Sequence, residues 1–276
     1  MTAPPSALSA RRPLSTLGQF LREFLAFGVK EARACVFAGS FFLAVFIVPR
    51  TGVLGIPRYD LLLVIALLIQ VVLVMTGIES MDEVKAITLF HIVGFCLELF
   101  KTSPAIGAWS YPDFAYTKIG GVPLFSGFMY AAVGSYIIQA WRLLDLRVRH
   151  HPPYWMAATL AILIYANFFT HHFMPDMRWY LAACGLGLYA RTTVIFRPLD
   201  RDRWMPATVG FVLTGFFIWL AENISTFFGI WRYPNQMSAW AAVHVGKWSS
   251  WSLLVIMTWT IVANLKHVKE KVHVPV

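Results

Sequence analysis

Eight apolar stretches of 17–20 residues recur along this 276-residue chain, at 34–50, 60–78, 84–102, 123–142, 154–172, 179–196, 206–225 and 246–265. A helix needs about 17–25 mostly apolar residues to cross a bilayer. The recurrence therefore confines the chain to an all-α, polytopic transmembrane bundle of about eight spans. Composition agrees: 58% of residues are hydrophobic and 13% charged, where soluble domains carry roughly 25% charged residues. Breakers separate the stretches, among them Pro49-Arg50, Ser103-Pro104, Pro152-Pro153 and Pro198 through Arg203. Residues 1–16 read as a disordered tail. Residues 17–33 place Leu17, Phe20, Leu21, Phe24, Leu25 and Phe27 at helical spacing, as expected of an amphipathic helix on the cytoplasmic membrane surface. No signal peptide is expected, because no short apolar run leads to a small-residue cleavage site.

The net charge of +9 is assigned to topology and not to nucleic acid. With the N-terminus inside, sixteen of the 23 Lys and Arg residues fall on the cytoplasmic side and seven outside. The excess predicts cytoplasmic N- and C-termini in a multi-pass protein of the cell inner (plasma) membrane. The lipid bilayer is then the expected partner, and the oligomeric state stays open. Cys35, Cys96 and Cys184 form no Cys-x-x-Cys motif and read as buried small hydrophobes.

One segment occurs twice. Residues 107–113 read Gly-Ala-Trp-Ser-Tyr-Pro-Asp and residues 229–235 read Gly-Ile-Trp-Arg-Tyr-Pro-Asn, an offset of 122. The same offset carries spans one to four onto spans five to eight. The chain divides accordingly into a tail and interfacial helix (1–33), a first four-helix repeat (34–142) and a second repeat with a basic C-terminal tail (143–276). Four spans per half give both halves one orientation, so the repeats are parallel and both segments lie outside.

A glutamate precedes each copy: Glu98 by eleven residues before Trp109, and Glu222 by nine before Trp231. A carboxylate in an apolar helix costs several kcal/mol unless it is protonated, paired or solvated, which makes an intramembrane acid a functional candidate. For Glu98 the alternatives are a place at headgroup level or a pair with Lys101 on the same helix face. The candidate catalytic groups are Glu98 and Glu222, tuned by His171, His172, Asp176 and Asp113. Trp109, Tyr111, Trp231 and Tyr233 would wall a substrate, with His91, Lys101, Asn223 and His244 as further binding residues and Lys247 nearby. No cofactor is required, although His171 and His172 suggest a metal shared with the glutamates. Adjacent helical side chains diverge by about 100°, which disfavours one metal taking both. Glu79, Asp82, Glu83 and Lys85, and Arg197 through Arg203, read as solvated turns. Phosphate loops, nucleophile elbows and His-Glu-x-x-His sites do not occur.

From Phe90-His91 and Gly94 through Glu98-Leu99-Phe100-Lys101, Trp109–Asp113 and Val122–Phe128, the chain resembles the YoaT-like family of bacterial integral membrane proteins. The likeness covers most of the chain after residue 20, implies a membrane protein and brings no activity. A partial similarity links the glutamate, Gly-x-Trp-x-Tyr and Val-Pro pattern to membrane carotenoid hydratases and heterodimeric lycopene cyclases. In those families acids protonate or deprotonate a polyisoprene, roles that fall here on Glu98 and Glu222. The cyclases' Pro-x-Glu-Glu segment is missing.

Three function classes follow. The first is a membrane enzyme doing acid–base chemistry (hydration, isomerisation or cyclisation) on a lipid or isoprenoid. The second is a proton-coupled transporter, which needs a polar path to the cytoplasm. The third is a non-catalytic structural membrane protein.

Overall fold

The computed structural model describes residues 16–273, with side chains placed over 17–267. The tail expected over 1–16 lies, apart from Thr16, outside the described residues. Among the latter, nine α-helices follow one another: α1 Thr16–Ala34, α2 Val36–Ile47, α3 Arg58–Met75, α4 Met81–Lys101, α5 Ser126–Leu143, α6 Tyr154–Thr170, α7 Arg178–Leu188, α8 Ala207–Phe227 and α9 Lys247–His273. Three of them are long and apolar enough to cross a membrane: α3, α8 and the first 21 residues of α9. On α3, Val64, Leu67, Leu68, Val71, Val72 and Met75 are exposed. A face this apolar and unpaired is one that lipid would cover.

Each expected stretch meets a helix, and two of those helices are short: α2 holds 12 residues of the stretch at 34–50, and α7 has 11. The stretch at 179–196 is not one helix: α7 ends at Leu188 and Thr193–Phe196 forms a strand, β4 of the described chain. Eleven residues rise about 16 Å, half of a ~30 Å hydrocarbon core. Thr193-Val194-Ile195 is β-branched and prefers the pleated state. The other strands are a short hairpin, β1 Lys118–Ile119 with β2 Val122–Pro123, and β3 Arg147–Arg149 and β5 Arg203–Pro206. The latter two flank β4 in an antiparallel sheet ordered β3-β4-β5.

The boundary expected at 33/34 falls at the junction of α1 and α2. Cys35 stands between α1 and α2 and is bonded to both: its N–H donates to Glu31 O at 2.9 Å, and Gly39 N–H donates to Cys35 O at 2.7 Å. Leu17, Phe20, Leu21, Phe24 and Leu25 of α1 are exposed as expected, but Phe27 and Ala34 pack with Ala140 and Leu144 of α5. Glu79 departs from the solvated turn expected of it: it is buried, and it accepts from Ser135 at 2.5 Å and from Gln70. Its neighbours behave as expected, with Ser80 and Glu83 forming a capping box for α4 and Asp82 pairing with Lys85 at the surface. The three cysteines are free, and Cys96 and Cys184 are exposed rather than buried.

Helices α4 and α5 approach most closely where glycines remove side chains. A Cβ on Gly94 would enter the Tyr130 ring, one on Gly134 the Phe90 ring, and one on Gly127 the His91 ring. Small residues let backbones approach in this way. Gly134→Leu should therefore force α4 and α5 apart at Phe90. We expect a loss of about 1–3 kcal/mol, read as a lower thermal unfolding midpoint in detergent.

Candidate functional site

A left-handed glycine lies in the turn that follows each glutamate-bearing helix: Gly107 (φ +56°), six residues beyond Lys101 of α4, and Gly229 (φ +69°), two residues beyond Phe227 of α8. Residues with a Cβ pay roughly 1–2 kcal/mol in that conformation, so glycine suits the reversal. The two segments then meet. Ser110 N–H donates to Arg232 O and Arg232 N–H to Ser110 O, both at 2.9 Å, as an antiparallel bridge. The flanking rings cross over: Trp109 lies edge-on to Tyr233 at 6.0 Å, and Tyr111 lies 6.5 Å from Trp231. Each copy thus contributes its tryptophan against the other's tyrosine.

Inside this clasp the glutamates are buried, at 2% exposure for Glu98 and 3% for Glu222. One oxygen of Glu98 accepts from Trp109 Nε1 at 2.8 Å and Tyr111 Oη at 2.9 Å; the other accepts from Tyr130 Oη at 2.8 Å. One oxygen of Glu222 accepts from Trp251 Nε1 at 2.7 Å, and the other from Tyr233 Oη at 2.5 Å. Each acid thus has one oxygen on an indole N–H and the other on a phenol. The Lys247 ammonium lies 5.4 Å from the Trp109 ring centroid and 4.8 Å from that of Tyr233, within cation–π range of both. Tyr130 and Trp251 were not expected in the site. Their residue types give no signal in apolar helices, and only the packing of α5 and α9 turns them inward.

The remaining candidates disperse. His171 and His172 do not join the glutamates: their Nε2 atoms converge on Lys101 Nζ at 3.2 and 2.8 Å, and His171 Nδ1 meets Asn167 O at 2.8 Å. An ammonium has only donors, so both imidazoles present a bare Nε2 to it. They converge because α6 ends at Thr170, which frees the pair from helical spacing. Lys101 accordingly bonds the histidines and not Glu98. Among the described residues no group of three or more His, Cys, Asp or Glu side chains is arranged to hold a metal. Asp176 pairs with Arg178 at 3.0 Å and fixes the turn into α7. Burial alone would raise its carboxyl, but the Arg178 backbone N–H and the Asn167 amide bring it below the usual range.

Asp113 makes no hydrogen bond to either acid among the described residues: its backbone carbonyl accepts from Lys118 at 2.6 Å, and its Oδ2 is buried without a partner. Asn223 accepts from Val243 N–H at 2.8 Å, and exposed His244 accepts from Gly246 N–H at 3.0 Å, so both shape the loop before α9. His91 stands edge-on to Phe128 at 4.6 Å, with Nδ1 buried and lacking a hydrogen-bond partner among the described residues.

These features define a helical protein with apolar helices of membrane-crossing length and a pair of buried carboxylates held by aromatic donors. Residues 23–259 match the family described as "Protein of unknown function (DUF817)", and the chain belongs to that family. It is similar to "Uncharacterized protein YoaT" of Bacillus subtilis (strain 168), with 47% identity over 251 residues, 91% of this chain and 94% of that protein. No solved structure matches.

The two clamps respond differently to losing a phenol at the same motif position. Tyr111→Phe leaves both Glu98 oxygens bonded, to Trp109 and Tyr130. Tyr233→Phe strips one Glu222 oxygen of its hydrogen bond. An unsatisfied buried group costs about 1–3 kcal/mol, against about 0.5–1.5 for one redundant bond. Tyr233→Phe should lower the unfolding midpoint clearly more than Tyr111→Phe does.

Proposed function

We propose that this protein is an inner-membrane enzyme of about eight spans that performs acid–base chemistry on a lipid or isoprenoid, with Glu98 and Glu222 as its acid and base. The observation that carries the reading is the matched pair of clamps. An indole N–H only donates, whereas a phenol hydroxyl both donates and accepts, so a proton on either glutamate can be shared only with a phenol. In Glu222 that phenol is Tyr233; in Glu98 it is Tyr130 on one oxygen or Tyr111 on the other. A general acid or base needs its proton held by defined partners of this kind.

In a hydration, one protonated glutamate would deliver its proton to an alkene carbon. Water would then add to the cation, and the ionised glutamate would take the proton that water loses. Trp109, Tyr111, Trp231 and Tyr233 would steady the cation with their faces. The analogy with carotenoid hydratases rests on the shared motif alone.

The duplication and the two-sided topology belong to the same proposal. The bridge between Ser110 and Arg232, which occupy the same motif position, supports a pseudo-twofold axis between the segments. So do the crossed Trp–Tyr pairs and the matching left-handed glycines. The charge asymmetry supports cytoplasmic termini and an outward-side site. A reporter fused after Asp113 or after Asn235 should read periplasmic; a cytoplasmic reading at either place would sink the topology. For the chemistry, lipid extracts of cells expressing wild type, Glu98→Gln and Glu222→Gln should be compared by mass spectrometry. We expect a species consumed or formed only with wild type. Identical extracts from all three strains would leave the enzyme reading without support.

A second reading, a proton-coupled transporter, is favoured by one observation. Buried Glu79 with Gln70 and Ser135, then His91, then Glu98 with Tyr130 place titratable groups at several levels of the α4–α5 pair. In proteoliposomes a transporter would show proton flux abolished by Glu79→Gln as well as by Glu98→Gln. An enzyme would tolerate Glu79→Gln.

A further inference from the structure

We infer that the end of α8 carries a second site, an anion site for a phosphate group, built on Arg50 and Arg232. A cavity of about 140 Å³ opens there, with both arginines on its wall beside Thr226, Gln236, Ser238 and Trp240. The backbone of Arg232 is fully engaged with Ser110, but its guanidinium has no hydrogen-bond or ion-pair partner among the described residues. Arg50 is engaged once, donating from Nη2 to Phe227 O at 3.2 Å.

The charges around the cavity favour an anion. The last carbonyls of a helix are electronegative and repel anions, but here they are answered: Phe227 O by Arg50, and Phe228 O by Arg58 Nη1 at 2.9 Å. The Arg232 charge is then surplus. Gly229 makes the geometry available, because a Cβ at that position would come within 3.1 Å of the Arg50 guanidinium. The glycine thus serves two needs, the left-handed turn and the seat for Arg50.

Phosphate is the ligand these groups fit. A planar guanidinium fork meets phosphate oxygens two at a time. The cavity is below the roughly 300–1,000 Å³ of sites for whole drug-sized ligands, which suits a single headgroup-sized anion. The Trp240 indole donates to Thr226 Oγ1 at 3.2 Å, stands edge-on to Phe227 at 5.3 Å and is 45% exposed, as suits an aromatic at headgroup depth. The site belongs to one copy of the segment only, since Ser110 stands where the other copy has Arg232. It needs neither glutamate and does not rest on the acid–base reading.

Two probes separate the sources of the phosphate. Inorganic phosphate is titrated calorimetrically into the full-length protein in a maltoside detergent, with ionic strength held by chloride. In parallel, retention of dioleoylphosphatidylglycerol is followed by native mass spectrometry. Each is repeated with Arg232→Gln, with Arg232→Lys, and with Lys85→Gln, which removes an equal charge from an exposed position on α4. At least one probe should bind wild type saturably and lose about tenfold or more in affinity in Arg232→Gln. Arg232→Lys should recover part of that loss, and Lys85→Gln should match wild type. Binding of inorganic phosphate would assign a soluble anion, and binding of the lipid alone would assign a headgroup. If neither probe saturates, or Arg232→Gln weakens binding no more than Lys85→Gln does, the site does not exist.

Discussion

A carboxylate sealed between apolar helices must find its hydrogen-bond donors within the protein, because neither lipid nor the core supplies any. Much of the structure around Glu98 and Glu222 follows from that requirement. Trp109 and Tyr111 reach Glu98 because the turn that follows α4, with left-handed Gly107 in it, returns the segment over its own helix. Tyr233 reaches Glu222 by the same reversal at Gly229. Tyr130 and Trp251 complete the shells from neighbouring helices, and Tyr130 comes close enough only where Gly94 lacks a side chain. Changes to any of these groups are felt at an acid that cannot turn to water instead.

The helices and their order were legible because hydrophobic length is a strong constraint. A run of apolar residues has few places to go, and Pro and charged turns mark its ends. The same logic failed at 179–196, where hydropathy alone cannot tell a helix from a short helix followed by a β-branched strand. It also failed at Glu79. An acid in a turn beside Asp82, Glu83 and Lys85 looks solvated in one dimension, and only the packing of α5 brings Ser135 against it.

The site was legible to the extent that it repeats. Glu98, Glu222, Trp109, Tyr111 and Tyr233 stood out through the duplicated pattern, and they are among the groups that hydrogen-bond or line the clasp. What did not repeat was misplaced. His171 and His172 were expected beside the acids because histidine, carboxylate and outward position suit one another chemically. The structure instead gives them Lys101, a buried ammonium that needs acceptors as much as Glu98 needs donors. Tyr130 and Trp251 were missed for the converse reason: an aromatic in an apolar span has an ordinary explanation, and nothing local marks the one that faces an acid.

On the proposed duplication, the offset of 122 pairs Arg50 with His172, Lys101 with Asn223 and Ser110 with Arg232. Each of these pairs sits around the end of a glutamate-bearing helix, and each has diverged in charge. Around α4 the ammonium lies on the helix itself and the histidines answer it from α6. Around α8 the helix carries a neutral amide, and the cations come from the loop after α2 and from the clasp. The shells of the two acids stayed alike while their outer surroundings became opposite in character, donor-rich and unpaired at one end, internally satisfied at the other. On the proposed function the two acids would share one kind of work, and a ligand would approach from the side that keeps the cations of Arg50 and Arg232. That asymmetry, more than the matched acids, is where selectivity for a ligand would reside.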